Sequence, residues 1–435
     1  MFSKEKIVQL EVQDVRYPTS KTLDGSDSVH TDPDYSVAYV TLTTGTGVSG
    51  YGITFTLGAG TDVVVKAIEL LKKKVVGKSI HDIFTNYRAF YRSLTQDSQM
   101  RWLGPEKGIV HLATAAVTNA VWDLAARLAN KPLWRFVVDI PVEDLVAMID
   151  WSYTSDVISE NEIVEMLSEG QSGKEERIKE LEKDGYPAYI TSVGWLGYSD
   201  EKVKRLTNEK LGEGWTAFKM KVGISQEDDM RRAELIRSLI GPDNKLMMDA
   251  NQIWDVNDAI TRMKQLKKYN PYWIEEPTSP DDVDGHAQIS QALREHNIGV
   301  ATGEMCQNKV MFKQFLKLHA MQFCQIDSCR VGGVSEVLAI MVLARKFGVP
   351  VVPHAGGVGL CELVRHYSMV DYVLISGKMS DRMCEYAEHL HEHFTDEAEI
   401  KNARYVLPYK PGFSCEIKKE AVEKYKFPDG SYWQN

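Results

Sequence analysis

Between residues 217 and 354 the chain repeats one unit: a short apolar run that stops at a polar or charged residue, followed by a helical pattern. Residues 217–222 carry Lys219 and Lys221, 246–248 stop at Asp249, and 272–274 stop at Glu275. Residues 298–303 then stop at Glu304, 323–326 at Asp327 and 349–353 at His354. From Lys221 onward the stops fall 23–29 residues apart, the length that a strand, two turns and a helix require. Consecutive βα units imply a parallel sheet, and seven or eight without a break favour closure into a barrel. An open doubly wound sheet is the competitor, but no GxGxxG follows the first strand, and the GxG at Gly58 and Gly60 is too short to count. Residues 146–149, ending at Asp150, are expected as the first strand and 372–376 as the last. The charged stretch 159–184 reads as an insertion or a long first helix.

Ahead of this repeat the rhythm is different. Residues 6–16 and 37–55 alternate apolar and polar, with Thr44-Gly45-Thr46-Gly47 between two runs, which predicts an antiparallel meander. Residues 23–35 are polar. Helical periodicity follows at 62–75 and 80–94, then at 108–130, where Leu112, Ala116, Val117, Ala120, Val121, Leu124 and Leu128 share one stripe. That helix should stop near Asn130-Lys131-Pro132. An α+β domain over 1–140 and a barrel over 141–385 are therefore expected.

The formal charge is −10, from 51 Lys and Arg against 61 Asp and Glu, so the surface repels phosphate backbones and anionic lipid. Neither nucleic acid nor a membrane surface is expected as a partner, and an anionic substrate would need a local concentration of positive charge. Six cysteines at 306, 324, 329, 361, 384 and 415 form no CxxC pair, the usage of a reduced compartment. The apolar stretch 337–344 is far short of the ~20 residues of a membrane span. The first twenty residues hold Glu5, Glu11 and Asp14, unlike a signal or transit sequence, so the residues point to the cytoplasm.

In a barrel, the C-terminal ends of different strands converge on one mouth. Lys219, Lys221, Asp249, Asn251, Glu275, Glu304, Asp327 and His354, with Asp150, should then share a site. Asp249, Glu275 and Glu304 cannot all stay ionised at close range without a cation, and oxygen-only ligands suit Mg²⁺ better than zinc. Lys219 and Lys221 lie two apart on one strand and point to one face, where each ammonium should lower the other's pKa and leave a lysine neutral enough to act as a base. Spacing does not say which of the two it is. Asp327 can hold one imidazole nitrogen of His354 and leave the other for substrate, a second acid or base from the opposite side.

Singly, each of these residues has an ordinary reading. An acidic residue after a strand is more often a helix cap, a lone histidine is more often structural, and Lys-x-Lys is usually a solvated face. Six strand ends in regular succession make that reading improbable for the set. His389, His391 and His393 do not form HExxH because position 395 is Thr, and Cys324 and Cys329 read as inert buried thiols. Glu276 reads as a structural neighbour of the site.

The succession Lys219-Met220-Lys221, Asp249-Ala250-Asn251, Ile274-Glu275-Glu276-Pro277, Gly303-Glu304, Asp327 and His354 resembles the enolase superfamily, mandelate-racemase-like subgroup, over nearly the whole chain. Asp32-Pro33-Asp34-Tyr35 and residues 52–58, 101–107, 195–200 and 354–359 look more narrowly like the L-fuconate dehydratases and their animal branch. The resemblance implies a (β/α)7β TIM-like barrel with an α+β N-terminal capping domain, completed by residues 386–435 returning to the cap. It implies Mg²⁺ on Asp249, Glu275 and Glu304, with Lys221 as base for the carbon-2 proton and His354, oriented by Asp327, as the opposing acid. Lys219 would bind the substrate carboxylate and Glu385, just after the last strand, would hydrogen-bond the developing enediolate. Substrate contacts are expected from Gly25, Ser26, Asp27, Tyr35, Asn251, Glu304, Ala355 and Gly356. The implied reaction is dehydration of an acid sugar, L-fuconate first, to a 2-keto-3-deoxy acid. The alternatives are another sugar acid, a racemase or epimerase on the same fold, an inactive barrel with a binding role, and a zinc hydrolase barrel, disfavoured by the shortage of histidines. A homo-oligomer is expected, and the animal branch points to mitochondria where the residues themselves point to the cytoplasm.

Overall fold

Eight strand segments, each turned by a following helix or loop, form the larger part of the protein. The computed structural model describes residues 2–104 and 106–434; Pro105, inside the 101–107 segment, lies outside the described residues. In chain order, the N-terminal part contains β1 (Ile7–Arg16), β2 (Ser36–Thr44), β3 (Ser49–Thr56), α1 (Thr61–Leu71), α2 (Ile80–Thr85), α3 (Tyr87–Thr95) and α4 (Gly108–Leu128). The three strands pair antiparallel in the order β1-β2-β3, the expected meander, with Gly47 in its turn at φ 88°. α4 lies against β3. A Cβ on Gly52 would sit 2.1 Å from the Ala116 carbonyl oxygen, so only glycine lets strand and helix approach this closely. α4 is long and apolar enough to cross a membrane by composition, yet 89% of its apolar window is buried inside the protein, which makes it the central core helix of this domain. It ends where the sequence signals it should, with Asn130 in the left-handed region ahead of Pro132.

The first barrel strand comes later than the sequence suggests. Residues 146–149 are not the first strand: they follow on from α5 (Leu133–Val138) and close α6 (Val142–Met148), and the charged stretch splits into α7 (Glu160–Gln171) and α8 (Lys174–Asp184). The first barrel strand is β4 (Tyr186–Gly194), followed by α9 (Asp200–Gly212). Leu145, Val146 and Met148 are buried apolar residues with helical spacing, and four apolar residues in a row do not separate strand from helix. The expected units then appear as β5 (Ala217–Lys221), α10 (Gln226–Ile240), β6 (Lys245–Asp249), α11 (Val256–Leu266), β7 (Pro271–Glu275) and α12 (Val283–Leu293). After them come β8 (Gly299–Thr302), α13 (Lys309–Lys317), β9 (Phe323–Cys324), α14 (Val334–Lys346) and α15 (Leu360–Val370).

Residues 371–375 correct the other end of the expectation. They continue α15 as a π-helical turn, every residue of it buried, and the last strand is β10 (Cys384–Tyr386). β4 to β9 pair parallel in sequence order, parallel bridges join Cys324 to Val351 and Asp327 to His354, and β10 pairs parallel with β4. Across the remaining gap the Ala355 N–H donates to the Glu385 carboxylate at 2.7 Å.

The barrel floor shows the closure from inside. Tyr189, Ala217, Met247, Trp273, Ala301, Phe323, Val352 and Met383, one from each strand position, form a separate buried apolar layer. Side chains two residues further along each strand point the same way, so the next layer is Thr191, Lys219, Asp249, Glu275, Gly303, Gln325, His354 and Glu385. Five residues of the predicted site, Lys219, Asp249, Glu275, His354 and Glu385, thus stand in one layer of a barrel interior.

The C-terminal segment touches both parts. β11 (Ile400–Lys401) and β12 (Arg404–Tyr405) extend the sheet beside β4. Further on, the Phe413 N–H donates to Asp123 of α4, the Ile417 N–H to the Tyr39 hydroxyl and the Phe427 N–H to the Asp14 carbonyl.

Candidate active site

Strand register brings the charged groups together. Lys221 of β5 is paired with Asp249 of β6, which is paired in turn with Glu275 of β7, so three charged side chains stand side by side at the strand ends. Glu304 enters from the turn after β8, and carboxylate oxygens of Asp249, Glu275 and Glu304 lie within 4.8 Å of one another. The two lysines neutralise part of this charge. Lys219 Nζ lies 2.6 Å from Glu275 Oε1, 2.6 Å from Glu385 Oε1 and 3.4 Å from Asp249 Oδ2. Lys221 Nζ donates to Asp249 Oδ2 at 2.6 Å and to Asn251 Oδ1 at 2.8 Å.

The electrostatics correct one expectation. Burial works against both ammonium groups, but Glu275 and Glu385 around Lys219, and Asp249 beside Lys221, outweigh it and raise both lysine pKa values. The neighbouring ammonium does lower Lys221, as expected, but it is the smaller effect because the carboxylates are nearer and more numerous. The carboxylates divide accordingly. Asp249 stays well below its usual range because Lys221 and Lys219 overcome its burial, whereas burial and the Asp249 charge push Glu275 up to about 8. Two ammoniums therefore do not satisfy the cluster. Three convergent carboxylate oxygens, one of them driven toward protonation, form a hard all-oxygen donor set suited to a divalent cation such as Mg²⁺.

Opposite the lysines, His354 Nδ1 lies 2.7 Å from Asp327 Oδ2, and its Nε2 lies 3.5 Å from Glu304 Oε2. Burial disfavours the imidazolium, but Glu304 and Asp327 raise the His354 pKa to about 9. The other oxygen of Asp327 accepts the Cys329 and Arg330 N–H groups at 2.7 and 2.8 Å, which fixes the carboxylate that holds the ring. Glu385 sits inside the last strand rather than after it: one oxygen meets Lys219 and the other accepts the Ala355 N–H.

A cavity of about 320 Å³ lies over this layer, lined by Lys219, Lys221, Asn251, Glu304, His354, Gly356 and Glu385 from the barrel and by Gly25, Asp27 and Tyr35 from the N-terminal domain. Gly25 has φ +80°, and a Cβ there would sit 2.1 Å from the Tyr35 hydroxyl oxygen, so glycine is what admits the tyrosine. Ser26 and Ala355 are beside the site but not on the cavity wall. Ser26 Oγ donates to the Leu23 carbonyl and accepts the Gly197 N–H at 2.9 Å, joining the domain to the loop after β4. Ser28 Oγ, also from this loop, donates to the Ala250 carbonyl at 3.0 Å.

Asp150 does not belong to the site. It is bound by Arg92, Ser152 and Lys309 in a separate buried network, because the run before it is a helix and not a barrel strand. Glu276 is buried next to the cluster, with one oxygen accepting from the Gln252 amide and its pKa raised by burial and Glu304. The three histidines near the C-terminus are structural in placement: His391 pairs with Glu362 at 2.6 Å, His393 stacks on Tyr17, and His389 packs against Trp195 and Tyr35. All six cysteines are free and buried.

The cavity also takes in Trp195, from the 195–200 segment, and His30, Thr191, Gln252, Met305 and Arg330, which the sequence reading did not single out. Thr191 would have followed from period-2 counting once β4 was placed correctly. The others sit on loops, where no periodicity marks an inward-facing residue.

Two family models match the chain: the mandelate racemase / muconate lactonizing enzyme N-terminal domain over residues 12–137, and the enolase C-terminal domain-like family over 202–422. The chain is 56% identical over 431 residues to Mitochondrial enolase superfamily member 1 of Xenopus laevis, covering 99% of this chain and 97% of the relative. It is 50% identical over 429 residues to L-galactonate dehydratase of Hypocrea jecorina, covering 98% and 95%. The crystal structure of human Mitochondrial enolase superfamily member 1 superposes with a TM-score of 0.98 at 54% identity, covering 99% and 98%. With an N-terminal α+β domain closing over a C-terminal barrel whose strand ends carry the acidic cluster, the chain belongs to the mandelate racemase/muconate lactonizing enzyme family of the enolase superfamily.

Proposed function

We propose that the protein is a Mg²⁺-dependent acid-sugar dehydratase that converts L-fuconate to 2-keto-3-deoxy-L-fuconate. The observation that carries this reading is one pair of groups: Lys221 and the Asp327-held His354 face a single cavity beside three convergent carboxylates. The 50% identical L-galactonate dehydratase supports the reaction class. L-galactonate differs from L-fuconate by one hydroxyl on carbon 6, so both belong in the test.

The chemistry needs these parts. A proton next to a carboxylate is very weakly acidic, and its removal places a second negative charge on that carboxylate. Mg²⁺ on Asp249, Glu275 and Glu304 would supply Lewis-acid stabilisation of that charge when bound. Lys221 takes the carbon-2 proton in its neutral form, so its ammonium, now held by Asp249, must first give up a proton; with Asp249 engaged as a metal ligand that hold would weaken. Lys219, between Glu275 and Glu385, places a fixed positive charge where the substrate carboxylate charge grows. His354 then donates the Nε2 proton to the departing 3-hydroxyl, general-acid help worth roughly 10²–10⁴-fold. Asp327 keeps the ring oriented for that donation, and Asn251, Asp27, Tyr35 and Gly356 line the cavity, where they would meet the sugar hydroxyls.

The proposal extends to organisation: residues 1–140 as the cap, 141–385 as the barrel, 386–435 as the segment returning to the cap, a homo-oligomeric assembly, and a mitochondrial location in line with the names of the relatives. The test is a panel of mono- and diacid sugars assayed for 2-keto acid, with Mg²⁺ and with chelator. Keto acid from L-fuconate or L-galactonate only with the metal is the expected result. Carbon-2 hydrogen exchange without keto acid would make the protein a racemase or epimerase instead.

A further inference from the structure

The basic groups of the cavity divide into two kinds. Lys219, Lys221, His354 and His30 are each held by a carboxylate, His30 by Asp27 at 3.1 Å. Arg330 is not. It lines the same cavity half-buried, and among the described residues its guanidinium has no hydrogen-bond or ion-pair partner. Its main chain is fixed, because its N–H donates to Asp327 Oδ1 at 2.8 Å. Pro33, Phe55, Leu57, Leu112 and Met305, which line the cavity too, offer it no side-chain oxygen. Its guanidinium is not among the buried groups without a partner, so water reaches its five N–H donors, and acid-sugar hydroxyls entering the cavity can replace that water as acceptors.

Position says which part of the substrate they would meet. Arg330 follows β9, the sixth strand position of eight, and the lysines lie on β5, the second, so the two stand on opposite sides of the mouth. On the dehydratase reading, on which this inference rests, the carboxylate lies toward Lys219 and carbon 2 lies between Lys221 and His354. The carbons beyond carbon 3 then extend away from β5. We propose that Arg330 is a specificity-determining residue for the far end of the acid sugar, its guanidinium donating to hydroxyl oxygens beyond carbon 3.

The test compares two ligands that differ only there: L-fuconate, and 2,3-dihydroxybutanoate of the same configuration at carbons 2 and 3, which has no hydroxyl beyond carbon 3. Binding is measured calorimetrically with Mg²⁺ on Lys221→Ala, which cannot turn the ligand over, with and without Arg330→Met or Arg330→Lys. Arg330→Met should weaken L-fuconate roughly 10–100-fold and the short acid less than about 3-fold, with Arg330→Lys between. In the protein retaining Lys221, kcat/KM for L-fuconate should fall by a similar factor. Equal weakening of both ligands would mean that Arg330 acts through Asp327 and His354, and no weakening would mean that it touches neither; each overturns the proposal. If wild-type protein forms no keto acid, the dehydratase reading fails by itself, while the two-ligand comparison still decides where Arg330 acts.

Discussion

Buried charge at the domain seam and buried charge at the barrel mouth are built on opposite principles. At the seam between the N-terminal domain and the barrel, Glu336 of α14 accepts from His111 Nε2 at 2.7 Å, the Tyr91 hydroxyl at 3.0 Å, the Gly332 N–H at 2.7 Å and the Lys309 N–H at 2.9 Å. Nearby, Asp150 is held by Arg92 at 2.6 Å and Lys309 at 3.2 Å. Partners outweigh burial at both, lowering Asp150 and bringing Glu336 down to about 2. At the barrel mouth, carboxylates face carboxylates and Glu275 is pushed the other way, to about 8. A cluster whose carboxylates are fully partnered holds two domains together. One left short of positive charge at the bottom of a cavity is poised to take a cation and a substrate.

Replacing residues of the two clusters should therefore break different properties. Lys221→Ala removes the proposed base and should lower keto-acid formation by about 10⁴-fold in Mg²⁺, with the midpoint of thermal unfolding little changed. His354→Asn separates the steps: product formation should fall roughly 10²–10⁴-fold while Lys221 still exchanges the carbon-2 proton with solvent, which NMR in deuterated water detects. Glu336→Gln should do the reverse, costing about 1–3 kcal/mol of stability in denaturant titration while turnover per folded molecule stays within about 3-fold. Its acid limb also has a defined sign. A carboxyl held at about 2 when folded and near 4.5 when unfolded contributes stability above the upper value, and loses it as pH falls toward the lower. The wild type should lose this contribution between about pH 4.5 and 2, and Glu336→Gln should lack that part of the acid sensitivity.

How much of this was legible in the sequence follows from where periodicity operates. The strand-end residues from Lys219 to His354 were found because six regular units are hard to mimic, and their meeting followed from barrel geometry alone. The first and last strands were misplaced for the same local reason. Residues 146–149 and 372–376 are short apolar runs next to helices, and burial of the whole run hides the difference between periods of 2 and 3.6. That error carried Asp150 into the site and put Glu385 outside the strand that positions it. The lysine pKa expectation failed because it counted the neighbouring ammonium and omitted the number of carboxylates that register places around it. The seam network and Arg330 were invisible, since a buried pair such as His111 and Glu336 joins residues 225 positions apart that no local pattern connects.

The contrast between the clusters comes down to one variant. Glu275→Gln keeps one acceptor oxygen, enough for Lys219 but not also for the Trp273 N–H, and cannot carry the carboxylate charge that a cation would draw on. Thermal unfolding of wild type and Glu275→Gln, each with chelator and with Mg²⁺, measures the central claim directly. The account predicts that Mg²⁺ stabilises the wild type, by about 2.7 kcal/mol at a hundredfold excess over its dissociation constant. It predicts that the metal-free variant stays within about 1–3 kcal/mol of metal-free wild type, the cost of the one acceptor lost to Trp273, and that its response to Mg²⁺ is lost. A metal-free variant much less stable than wild type, together with an undiminished response to Mg²⁺, would contradict it.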